Sequence, residues 1–186
     1  MIFNSYSHLK DKHAFLSPSK YHWINYDDEK LERVFIKSMD AARGTALHAL
    51  AHDLITLKQN LPNTKKTLNM YVNDALGYQM QSEVTLFYSE NCFGHADAIG
   101  FRRNRLRIHD LKNGVTPTSM NQLYVYAALF CLEYKFKPVE IEVELRIYQN
   151  DDIQIEGGDP DVITHIMDRI VTFDKQITRM RMEVLS

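Results

Sequence analysis

The sequence predicts an α/β protein with a mixed central sheet flanked by helices, and three features predict it. Apolar residues recur at helical spacing between residues 40 and 58. Three β-rich segments then run almost without interruption from 81 to 111. A second alternating segment, 139–147, stands between two further helical stretches. At 186 residues, 45% apolar and 11% aromatic, the chain can bury a core and reads as one domain over 1–186 with a short helical extension at its start.

Each element has its own signal. Ser17-Pro18-Ser19 opens a short helix carrying Tyr21, Trp23 and Ile24. Asp40 to Lys58 is a longer helix with Ala46, Leu47, Leu50, Leu54 and Leu57 on its stripe. Leu61-Pro62-Asn63 breaks the chain, and Thr64 is placed to cap a helix reaching about Ala75. Gln81 to Tyr88 alternates, with Glu83, Thr85 and Phe87 on one face and Val84, Leu86 and Tyr88 on the other. His95–Phe101 and Arg105–Leu111 form a hairpin around Arg103-Asn104. Leu106, Ile108, Asp110 and Lys112 share one parity, so an acid and a lysine end an apolar stripe. Ser119 caps a helix over about 120–134. A strand over Val139, Ile141, Val143, Leu145 and Ile147 alternates with Glu140, Glu142, Glu144 and Arg146. Ile153-Gln-Ile155 adds a short strand, and Asp159-Pro160 opens a last helix.

A formal net charge of -2 excludes a global electrostatic grip on a polyanion, so such contacts must be local, as at Arg102, Arg103, Arg105 and Arg107. The two cysteines, Cys92 and Cys131, are too few for a disulfide framework, a zinc knuckle or a four-cysteine iron–sulfur cluster. Residues 1–6, Met-Ile-Phe-Asn-Ser-Tyr, lack the pattern of a signal peptide, and no stretch approaches the ~18 apolar residues of a membrane span. The expectation is a soluble, cytoplasmic protein without a membrane partner.

The chemistry concentrates in residues 94–126. Gly94-His95-Ala96-Asp97 precedes the arginine-rich hairpin, which leads into Asp110-Leu111-Lys112. A helix with Gln122 and Tyr126 on one face follows. Two other acid-x-Lys triplets occur, at Asp28 and Glu133, but only Asp110-Leu111-Lys112 ends an alternating strand with another acid on the strand before it. Carboxylates suit a hard cation such as Mg²⁺ or Mn²⁺ beside a phosphodiester, so Asp97 and Asp110 are the expected ligands. The Leu111 carbonyl could add to them at the strand end. Lys112 would orient the attacking water and stabilise charge developing on the phosphate. Glu83 is a candidate further acid, its face being open at this point. The alternative is a surface hairpin with an Asp–Lys pair.

Gly94-x-x-Asp97, Asp110-x-Lys112 and Gln122-x-x-x-Tyr126 together resemble the PD-(D/E)xK nuclease superfamily, in its RecB-type branch of CRISPR adaptation nucleases and phage exonucleases. Arg43-Gly44-Thr45-Ala46-Leu47-His48 is similar to that branch's early-helix histidine, and Leu16-Ser17-Pro18-Ser19 with Trp23 to the opening of its phage members. The likeness spans about residues 16–148, without the adaptation nucleases' cluster cysteines. It implies a restriction-endonuclease-like fold and a Mg²⁺- or Mn²⁺-dependent deoxyribonuclease. Most specifically it implies an exonuclease of phage or mobile-element DNA replication, repair or recombination, in the host cytoplasm if phage-encoded. It gives His48 a place in the metal site. It assigns Gln122 and Tyr126 to positioning the phosphate and the lysine. DNA is the implied partner, contacted by Arg102, Arg103 and Arg105, with a homo-oligomer or a recombination protein as a further one. The alternatives are a non-catalytic DNA- or protein-binding member of the fold and a subunit active only in a larger complex. His52, one turn from His48, reads as packing or surface, and His95 and His109 as rim or core.

Overall fold

The structure, a computed structural model, describes residues 14–114 and 118–185; residues 1–6, read above for a leader, lie outside them. Two compact units divide the chain, Met1–Arg43 and Gly44–Ser186.

In the first unit Pro18–Asn25 is a 3-10 helix with Pro18 in its first turn, where the missing N–H costs nothing. The Trp23 indole donates to the Ser17 carbonyl at 3.0 Å. Helix α1, Asp28–Thr56, starts well before the expected Asp40. Its start signal is local: Asp27 accepts the Lys30 N–H at 2.7 Å, and Asp28 and Glu29 occupy the positively polarised first turn. Leu31, Val34, Phe35 and Met39 do stand at helical spacing here, although Leu31, Phe35 and Met39 each stay more than a third exposed. Phe35 packs edge-on against Phe15, ring centroids 5.2 Å apart.

The second unit holds the rest of α1 and then α2, Thr67–Gly77. The expected cap at Thr64 is not made, because Lys66 stands at the cap position without a side-chain bond. Asp151, far along the chain, does the capping by accepting the Thr67 N–H at 2.9 Å and its hydroxyl at 3.1 Å. Five strands follow: β1 Gln81–Ser89, β2 Cys92–Arg102, β3 Arg105–Leu111, β4 Glu142–Gln149 and β5 Asp152–Gly157. They lie in that order in one sheet, antiparallel except for the parallel pair β3–β4. Arg103 and Asn104 turn the β2–β3 hairpin with φ of 49° and 61°, as a two-residue turn matched to strand twist requires. The parallel pair needs a crossover, and α3, Asn121–Tyr134, supplies it. The Ser119 hydroxyl accepts the Asn121 N–H at 3.1 Å at its start. Helix α4, Pro160–Leu185, ends the fold.

The mixed sheet is thus flanked by helices. Helices α3 and α4 bury one face through Leu106, Ile108, Leu123, Leu145 and Ile163; the end of α1 and α2 bury the other through Leu54, Val72, Ala98, Leu111 and Tyr148. One expected strand boundary moves. Val139 falls in a 3-10 turn at Pro138–Glu140, 71% exposed, and β4 begins only at Glu142. Glu142 and Glu144 are not a plain solvated face, since they pair sideways with Arg105 and Arg107 of β3. Among the described residues no helix is long and apolar enough to cross a membrane.

His109 is sealed between the sheet and α2 at 0% exposure. Tyr148 gives its hydroxyl proton to Asp74 at 2.7 Å, so the His109 Nδ1–H, 3.2 Å away, donates to the Tyr148 oxygen. His109 Nε2 is left buried with no partner. Burial first, then the Arg146 and Arg107 charges, push its pKa down to about 3. The unfolded chain takes up this proton near 6.5, so it binds more protons than the folded one between those values. Stability present above 6.5 is therefore lost as pH falls toward 3, by up to about 1.4 kcal/mol per unit. His109→Phe should flatten the fall of melting temperature between pH 7 and 4, and identical slopes in both proteins would refute it.

Candidate metal centre

The site forms beside an unpaired step between β1 and β2. In β1 and β2 the ladder pairs Ser82 with Ala98 and Val84 with Ala96, leaving Glu83 and Asp97 between them. Residues two apart normally share a face. Here Ala98 packs with α1 and α2, whereas Ala96 packs with α3. The strands switch sides across this step, and Glu83 carries the left-handed φ of 54° that such a kink demands. The two acids leave the sheet at the switch point.

Asp97 is fixed from two directions. Its Oδ2 accepts the Leu111 N–H at 2.9 Å, and its Oδ1 lies 3.2 Å from His48 Nδ1 on α1. Ligand atoms of His48, Glu83 and Asp97 all lie within 4.8 Å of one another. Two opposite ligands of a Mg²⁺ ion bonded at ~2.1 Å stand ~4.2 Å apart, so the trio is near the right size. Asp110 adjoins the trio without joining it. It follows the Ala98–His109 pair, one residue beyond on β3, and is 2% exposed. Burial first, then the Asp97 charge, push its pKa up to about 6, against the pull of Lys112 and His48. His48 is raised by its bond to Asp97, against burial. The imidazole thus sits against Asp97 and the ammonium against Asp110, positive groups where a divalent cation would also be favoured.

A polar chain runs from Asp110 to the backbone of β2. Lys112 Nζ lies 2.9 Å from Asp110 Oδ2 as an ion pair, without the alignment of a hydrogen bond, so that buried oxygen has no bonded donor. The ammonium donates to Gln122 Oε1 at 3.1 Å, the Gln122 amide to the Tyr126 hydroxyl at 3.2 Å, and that hydroxyl to the His95 carbonyl at 2.6 Å. Two glycines make this geometry possible. A Cβ on Gly94 would sit 3.0 Å from the Tyr126 ring, and one on Gly44 would sit 3.0 Å from the Asn113 amide. Gly44 therefore has a packing reason in mid-helix, where glycine otherwise costs about 1 kcal/mol.

No family model matches this chain, and no curated protein matches it. Among solved structures, one described as the crystal structure of SSO0001 aligns over 84% of this chain and 71% of its own, at 12% identity and a TM-score of 0.35, too low to carry an argument.

The expected residues separate into two places. His48, Glu83, Asp97, Asp110, Lys112, Gln122 and Tyr126 gather at one site. Leu111 reaches it through its N–H, its side chain being buried in the core. Arg102, Arg103 and Arg105 do not reach it. They sit at the hairpin turn, five residues of strand or ~17 Å away, where Arg102 bonds Gln79 and Arg105 pairs with Glu142. With Arg107 they line an open polar hollow of about 940 Å³. The acids that pair with Arg105 and Arg107, Glu142 and Glu144, come from an adjacent strand, which no local pattern announces. His52 bonds Ser82 at 2.8 Å. Sequence reasoning missed Tyr71, 2% exposed and set edge-on to Tyr148, centroids 5.4 Å apart. Burial raises its phenol, and the charges of Asp97, Asp110 and Glu83 raise it further. An isolated tyrosine in a helix gives no signal of this.

Proposed function

We propose that this chain is a metal-dependent DNA nuclease of the PD-(D/E)xK type, an exonuclease of the phage or mobile-element kind. The observation that carries the reading is the His48, Glu83 and Asp97 trio of ligand atoms with the Lys112–Gln122–Tyr126 chain beside it. Other pairings of acid and lysine are common on protein surfaces; a buried carboxylate next to a ligand trio and a positioned lysine is not. His48, Glu83, Asp97 and Asp110 would hold Mg²⁺ or Mn²⁺. Bound there, the ion supplies Lewis acidity and a more acidic water. Lys112, beside Asp110 at the edge of the trio, would present its ammonium to the phosphate, where negative charge grows in the transition state. Gln122 fixes the direction of that ammonium, and Tyr126 fixes Gln122.

Purified protein incubated with linear and covalently closed DNA in Mg²⁺, Mn²⁺ or chelator tests the reading. Linear DNA should be degraded from its ends with either metal, closed DNA spared, and the chelator should stop the reaction. No cleavage under any metal condition removes the proposal. Within it, Tyr126→Phe keeps the ring and removes the hydroxyl that anchors Gln122. Activity should fall about tenfold, as for one lost orienting bond of about 1.4 kcal/mol, with the melting temperature nearly unchanged. Undiminished cleavage would make the pair structural.

A further inference from the structure

The sheet face next to the metal centre carries two exposed aromatic rings that the proposed chemistry does not use. In β1 and β2 the cross-strand pairs after the Glu83 and Asp97 step are Thr85 with His95 and Phe87 with Phe93. They stand ~7 Å and ~14 Å from that step, at ~3.4 Å per residue. Phe87 is 43% and Phe93 52% exposed. The opposite face of these same strands is covered, Val84 and Leu86 packing toward α3. The two rings stack at a centroid separation of 6.3 Å with 30° between planes. His95 sits edge-on to Phe93 at 6.2 Å and is held in place by Thr85 at 2.8 Å.

A cross-strand aromatic pair stabilises a hairpin by a few tenths to 1 kcal/mol, which accounts for the two rings touching. It does not account for both rings staying about half exposed on the strand face that Glu83 and Thr85 also share. Flat, sequence-tolerant aromatic surfaces bind bases that are not paired. We infer that Phe87, Phe93 and His95 form a shelf on which an unpaired base of the bound strand stacks, one or two nucleotides from the scissile phosphate. The inference rests on the nuclease reading for where the strand lies. The shelf itself does not need the metal, since stacking uses ring faces and not charge. It would explain how a site this open aligns a strand: the stacked base fixes the strand's direction, and the phosphate then falls at the acids.

The test compares binding of a short oligothymidylate with binding of an abasic strand of equal length, both in chelator so that nothing is cleaved. Phe93→Ala should weaken oligothymidylate binding about tenfold, within the range for one stacked base, and leave abasic binding unchanged. Phe93→Trp should keep the wild-type affinity, and its indole emission should fall when oligothymidylate binds but not when the abasic strand does. Because both rings are exposed, all variants should melt within a few degrees of the wild type. Equal binding of the two strands by the wild type, or an equal loss on both in Phe93→Ala, overturns the shelf. So does wild-type self-association that Phe93→Ala abolishes, which would make the face a contact between copies. Failure of the shelf and of the nuclease are separable. Metal-dependent cleavage without base-dependent binding removes only the shelf, and base-dependent binding without cleavage removes only the nuclease.

Discussion

Asp97→Ala and Asp110→Ala are each expected to cut metal-supported DNA cleavage by more than ~100-fold, beyond the 10–100-fold typical of groups that only support a ligand. A hard cation held by carboxylates loses both charge and coordination when either is removed. The two variants should differ in stability. Asp97 also accepts the Leu111 N–H at 2.9 Å, so alanine there strands a buried donor at a cost of about 1–3 kcal/mol. Asp110 is buried with its pKa raised, so its charge opposes folding of the metal-free chain at neutral pH. Asp110→Ala should therefore melt no lower than the wild type. Cleavage, Mn²⁺ affinity by calorimetry and melting temperature check these statements together. Wild-type rates in either variant would take the residue out of the site.

Lys112→Ala should lower single-turnover cleavage by ~10²–10³-fold, the usual loss for one group that stabilises developing charge. Affinity for DNA should change by no more than a few-fold, because the ammonium matters most in the transition state. The structure adds a second expectation. Lys112 is the cation beside Asp110 and the donor to Gln122, so its removal leaves a buried acid without a counter-charge. Asp110 should then hold its proton to higher pH, and the pH at which Mn²⁺ binds half-maximally should rise. Lys112→Arg should restore that metal-binding pH better than it restores the rate, since the longer guanidinium keeps the charge and misplaces it. Normal turnover with weakened DNA binding would make Lys112 a phosphate anchor.

Much of the fold was legible because local periodicity reports burial. Alternation placed β1 and the hairpin, and it put Glu83, Thr85 and Phe87 on one face of β1, where they are exposed. The spacing of Gln122 and Tyr126 predicted one helix face, and their side chains bond each other. The length of α1 was read short: Leu31, Val34, Phe35 and Met39 recur at helical spacing before Asp40, and the start they point to is fixed by Asp27. Thr64 misled for a related reason: Asp151 is a better acceptor for the start of α2, but reaches it only in the folded chain.

The sequence by itself determined the order of the elements, the sheet flanked by helices, and the grouping of Asp97, Asp110, Lys112, Gln122 and Tyr126. All of these follow from residues close in sequence, or from strands joined by a tight turn. Only the tertiary structure decided that Glu83 joins His48 and Asp97, that Arg102 and Arg105 stand ~17 Å away bonded to Gln79 and Glu142, and that His109 is buried with its pKa pushed down. Each of these depends on a paired irregularity in two strands, or on a partner from a distant element. Such contacts form only when the sheet closes, so no periodicity along the chain records them.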